Sequence, residues 1–91
     1  MKRFTIICDF DGGTYVSQLE SLDVVGVARE WSAMIRTERP IPRSSTKIAD
    51  NVVIDLDNGM LPSALDGLKN VWQILEHLGS RTYTATIVQS D

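Results

Sequence analysis

Two short stretches carry carboxylates at a spacing that suits chemistry. They are "CDFDGGT", with Asp9 and Asp11, and "IDLDNG", with Asp55 and Asp57. Each sets two aspartates one residue apart at the end of an apolar run. Paired carboxylates can hold a hard cation such as Ca²⁺ or Mg²⁺, which takes oxygen ligands. The second stretch departs from a Ca²⁺-binding loop, because Gly59 stands fifth where that loop needs glycine sixth. His77 is the single histidine and has no Ser or Cys motif beside it. Cys8 is the single cysteine. It falls on the inward side of an expected strand, where a thiol acts as a small hydrophobe.

The elements that would position these groups follow from hydrophobic periodicity. "RFTIICDF" alternates, with Phe4, Ile6, Cys8 and Phe10 on one side and Ile7 and Asp9 on the other, which predicts a half-buried strand. "TYVSQLE" predicts a second strand, joined to the first by a two-residue Gly12-Gly13 loop. That register gathers Phe4, Ile6, Cys8, Phe10, Tyr15 and Leu19 on one apolar face and leaves Ile7 and Val16 on the other. Ser21 is expected to cap a helix over 22–36, whose stripe is Val24, Val27, Ala28, Trp31 and Ile35. Pro40 and Pro42 then predict a loop over 37–50.

The later half reads as one more strand, helix and strand. "NVVIDLDNGM" alternates, with Val52, Ile54 and Leu56 inward and Val53, Asp55 and Asp57 outward. Ser63 is expected to cap a second helix whose stripe runs through Leu65, Leu68, Val71, Trp72, Leu75 and Leu78 and stops at Gly79. His77 then sits near the helix C-terminus. "RTYTATIVQ" closes the chain as a strand, with Val88 among the outward threonines. The order ββαβαβ predicts a two-layer α+β sandwich: a mainly antiparallel four-stranded sheet with two helices on one face and the other face open.

The first aspartate stretch resembles the opening motif of haloacid-dehalogenase-like phosphatases, an apolar strand ending Asp-x-Asp-Gly-Thr. The resemblance implies Asp9 as nucleophile, Asp11 as acid/base and Thr14 as a phosphate contact. It covers six residues, with an extra glycine before Thr14. The family's fold carries the chain from this strand into a crossover helix, whereas the expected hairpin turns it back. The aspartates therefore read as solvated side chains of a hairpin and a sheet edge.

Ninety-one residues, 43% apolar and 23% charged, suit a single domain spanning 1–91. No segment is long and apolar enough to span a bilayer. The basic, then apolar, N-terminus lacks a cleavage site, so it does not read as a signal peptide. One cysteine fits a reducing, cytoplasmic setting. A net charge of −3 argues against general nucleic-acid binding. The charge is uneven: Arg36, Arg39, Arg43 and Lys47 face one acid, Glu38, across the proline segment. Arginine forks there suit an acidic protein partner.

The expected function is a small non-catalytic protein-binding module. It would use Ile7, Val16, Val53 and Val88 on the open sheet face together with Arg36, Arg39 and Arg43. The partner is a second copy or another protein, an inhibitor of the immunity-protein kind included. No cofactor, nucleic acid or membrane is assigned. The alternative is a metal-binding or phosphoryl-transfer protein that uses Asp9, Asp11, Asp55 and Asp57.

Overall fold

A computed structural model describes residues 1–90. Strands β1 (Lys2–Phe10) and β2 (Gly13–Ser21) form a hairpin, followed by helices α1 (Val24–Glu38) and α2 (Ser45–Asp57). Strands β3 (Ser63–Ala64), β4 (Val71–Leu78) and β5 (Arg81–Gln89) complete the chain. The order is ββααβββ rather than ββαβαβ. The fold class stands as α+β, but the sheet has five strands rather than the four expected: one open antiparallel sheet, ordered β2-β1-β5-β4-β3, with two helices.

The first hairpin turns one residue earlier than the Gly12-Gly13 loop expected. Asp11 and Gly12 are the loop, with φ of 51° and 81°, and Gly13 is already in β2. Aspartate followed by glycine meets the demand for positive φ at both central positions. Phe10 therefore pairs with Gly13, Cys8 with Tyr15 and Phe4 with Leu19. The partners differ by two residues from the expected ones. A shift of two preserves side-chain parity, so the expected face survives.

Helix α1 is capped by Asp23 rather than Ser21, its carboxylate accepting from Gly26 N–H at 2.7 Å. Ser21 closes β2 instead, and its hydroxyl crowds the space a Cβ on Gly26 would occupy. A side chain at position 26 would require the Ser21 hydroxyl to move aside. Arg39 ends the helix in a left-handed conformation, φ 52°, and donates its N–H to Ile35 C=O at 2.9 Å.

The expected strand at 51–57 is the second half of α2, and the expected loop at 37–50 is shorter because α2 begins at Ser45. Buried Ile48, Ala49, Val52 and Leu56 fall on one helical stripe. The expected helix after Ser63 does not form. Gly67 and Asn70 hold φ of 79° and 60°, both outside the helical region, and residues 71–78 extend as β4. Gly79, expected to end that helix, opens the two-residue loop to β5 with φ 66°.

Both helices pack on one face of the sheet. Phe4, Ile6, Cys8 and Phe10 of β1 meet Tyr83, Ala85 and Ile87 of β5 and, from the helices, Val27, Trp31, Ile35, Ile48 and Val52. Trp31 is 1% exposed. Trp72, expected on a helix, lies half-buried on β4 with its ring 6.1 Å from that of Phe4. Ile54, expected inside, is 58% exposed because the helix turns it outward. Among the described residues no helix is long and apolar enough to cross a membrane.

Candidate functional site

The uncovered sheet face is built by parity. Residues of β1 that do not meet the helices (Thr5, Ile7 and Asp9) lie beside Gln18, Val16 and Thr14 of β2 on one flank. On the other flank they lie beside Val88, Thr86 and Thr84 of β5. Val71, Gln73 and Leu75 of β4 extend these rows. Ile7, Val16, Val71, Val88 and Leu75 thus share a face with threonines, and Val16 and Leu75 are each 62% exposed.

The polar members of this face bond to one another across strands. Thr14 Oγ1 donates to Asp9 Oδ1 at 2.7 Å, and Gln18 Nε2 to Thr5 Oγ1 at 3.1 Å. His77 is on β4, not at a helix end, and its Nδ1 lies 3.1 Å from Thr82 Oγ1. The apolar side chains between them have no covering layer among the described residues.

Three of the four interface positions inferred from sequence, Ile7, Val16 and Val88, share this face. Val53 does not: it belongs to α2, in the opposite layer. Val71 and Leu75 take its place. They were missed because their segment also fits a helical stripe. The arginines are divided as well. Arg36 lies on α1 and donates to Asp50 Oδ1 at 2.6 Å. Arg39 and Arg43 are exposed in the linker between the helices, both with left-handed backbone.

The four aspartates do not converge. Asp9 is on the open face and Asp11 is in the turn, paired with Arg81 at 2.7 Å. Asp55 and Asp57 are on α2 in the helix layer, and Asp57 pairs with Arg29 at 2.9 Å. The expected metal set is therefore split between the two sides of the sheet. Among the described residues no three His, Cys, Asp or Glu side chains come together as metal ligands. After Asp11 the chain enters β2 and not a crossover helix, so Asp9 and Asp11 lack the strand-to-helix setting that the phosphatase resemblance implies.

A second feature lies between α2 and the edge of the sheet. A cleft of about 120 Å³ is lined by Val52, Leu56, Met60 and Leu61 on one side and by Ile74 and Glu76 of β4 on the other. Asp55 and Glu76 meet in it. Partial burial, the hydrogen bond that protonated Asp55 donates to the neighbouring Glu76 carboxylate, and the charge of Glu76 raise the Asp55 pKa above the ordinary carboxylate value. Beneath them Tyr83 Oη donates to Asn51 Oδ1 at 2.5 Å, and burial with the nearby carboxylates raises the tyrosine pKa. Burial also pushes the Cys8 thiol up to about 12, which leaves it protonated and unreactive at neutral pH.

No family model matches the chain, and comparisons with curated proteins and with solved structures find no match.

Proposed function

We propose that this chain is a small non-catalytic protein-binding domain whose working surface is the uncovered sheet face, with Arg39 and Arg43 as a second contact for acidic groups. The observation that carries the reading is the set Ile7, Val16, Val71, Val88 and Leu75, gathered on one face with no layer over it among the described residues. Apolar side chains set among threonines make a surface that water tolerates and a partner can dry. The dispersal of Asp9, Asp11, Asp55 and Asp57 favours this reading over phosphoryl transfer or metal binding.

The test compares wild type with Ile7→Lys and Val88→Lys as immobilised baits in lysate of the native cell. Both positions are partly exposed. On a merely solvated face such changes alter stability by about 0.5 kcal/mol or less. The expected outcome is a partner retained by wild type and lost by both folded variants. Equal retention by all three proteins overturns the assignment of the face.

A further inference from the structure

The hydrogen-bond phase of the sheet can be followed to its outer strand. Ser90 N–H donates to Arg3 C=O at 2.8 Å, so the backbone of Arg3 points toward β5. Antiparallel strands alternate, so Thr5, Ile7 and Asp9 also bond toward β5, and the even-numbered residues of β1 bond toward β2. Their partners in β2 are Gly13, Tyr15, Ser17, Leu19 and Ser21. The N–H and C=O groups of Thr14, Val16, Gln18 and Glu20 therefore point away from the sheet. No backbone or side-chain group among the described residues bonds to them.

The two edges are treated differently. At the β4 edge, Ser63 and Ala64 of β3 pair with Gln73 and Trp72, and Leu65 N–H donates to Val71 C=O at 3.0 Å. Farther along, His77 N–H donates to Glu76 Oε1 at 3.3 Å. Strand β2 carries no such closure. Its ladder with β1 runs unbroken from Lys2↔Ser21 to Phe10↔Gly13. It holds no proline, lysine or bulge, the usual devices against strand addition.

The occupant that fits this edge is a second copy. Outward-bonding residues can pair only with outward-bonding residues, so a two-fold antiparallel pairing must centre on a residue of the strand. Centred on Ser17, it uses all nine residues and sets the two small serines face to face at the axis. Tyr15 then lies opposite the partner's Leu19, which extends the apolar layer under both sheets. Glu20, the strand's one charge, lies opposite the partner's Thr14. The two glutamates stand ~20 Å apart, well beyond the screening length in physiological salt. Centring on Val16 instead would put Leu19 against a glycine. Centring on Gln18 would leave Gly13 and Thr14 unpaired.

We infer that the chain forms a two-fold homodimer by antiparallel pairing of β2 with its copy about Ser17, joining two five-stranded sheets into one of ten strands. The inference rests on the protein-binding reading and names a partner for it.

The test is sedimentation equilibrium of the full chain over a range of concentrations, with a mass twice 10.1 kDa at the upper end. Val16→Pro removes an outward N–H that β1 does not use, as edge strands tolerate. It is expected to keep the circular dichroism of wild type and to sediment as a monomer. Ser17→Cys tests register without disturbing the ladder. Opposed cysteines at a two-fold axis are within disulfide reach, so this variant cross-links to itself under mild oxidation and Thr14→Cys does not. Buried Cys8 gives no background.

Three results would overturn the inference. They are a monomer at every concentration, an undiminished dimer in folded Val16→Pro, or self-cross-linking of Thr14→Cys as ready as that of Ser17→Cys. A dimer broken by Ile7→Lys and Val88→Lys but not by Val16→Pro overturns the edge while leaving the open face as the binding surface. A wild-type monomer that captures another protein through that face has the same meaning.

Discussion

Asp55 and Glu76 show what a single side-chain pair does to the energetics of this fold. Because the folded chain raises the Asp55 pKa, the native state holds a proton that the unfolded chain releases near 3.8. Proton linkage then makes the pair's contribution greatest below that value and lost as pH rises through the raised folded value. Asp55→Asn cannot ionise and keeps a hydrogen-bonding side chain. Urea unfolding from pH 4 to pH 7 is expected to show the variant gaining stability relative to wild type as pH rises. A constant difference across that range would count against the shared proton. Trp31 and Trp72 separate two degrees of burial. Trp31→Ala empties a fully enclosed site and is expected to cost about 3–5 kcal/mol in the same assay. Trp72→Ala, on a half-buried strand position, is expected to cost less.

At the scale of the element, turns decided more than apolar patterns. Asp11-Gly12 makes the first hairpin because both positions take positive φ. Gly12→Val is expected to lower stability by about 1–2 kcal/mol, the cost of left-handed backbone for a branched residue. Asp11→Asn is expected to shift it by less than about 1 kcal/mol, since asparagine accepts that backbone and only the exposed Arg81 pair is lost. Thermal melts of both variants check the contrast. The β1–β2 core face was legible because Phe4, Ile6, Cys8 and Phe10 alternate strictly and fit only a strand. Helix α1 was legible because its stripe runs for three turns. Residues 51–57 were not, because Val52, Ile54 and Leu56 alternate while Val52 and Leu56 also sit four apart. The helical reading needs Ile48 and Ala49, which lie in what reads as a proline loop. Leu65, Leu68, Trp72 and Leu75 fit a helix equally well, and only Gly67 and Asn70 with positive φ argue for a turn. Of the candidate surface, Ile7, Val16 and Val88 were legible from parity in strands correctly placed. Val71 and Leu75 depended on β4, and the open edge of β2 depended on strand order, which local periodicity does not encode.

The whole molecule is a meander cut in an unusual place. In space the strands run β3-β4-β5-β1-β2, each antiparallel to the next, yet the central pair β1 and β5 comes from opposite ends of the chain. Ser90 Oγ donates to Arg3 C=O across 87 residues of sequence. The first hairpin and the last can each form locally, but the ladder joining them must wait for closure of nearly the entire chain. Linking residue 90 to residue 2 with a short turn, and opening the chain in the exposed 58–61 segment, would turn the sheet into five consecutive strands followed by α1 and α2. Replacing a closure of 87 residues by one of about four lowers its entropic cost by about 2.7 kcal/mol. To the extent that β1–β5 pairing is made in the folding transition state, that gain appears as speed. The permuted chain is expected to refold faster than wild type, by up to about 100-fold, with an unfolding rate changed much less. Stopped-flow chevrons of the two chains, followed through buried Trp31, measure both arms. Equal folding arms would mean that β1 and β5 pair only after the barrier, and that the nucleus lies within one hairpin or between the helices.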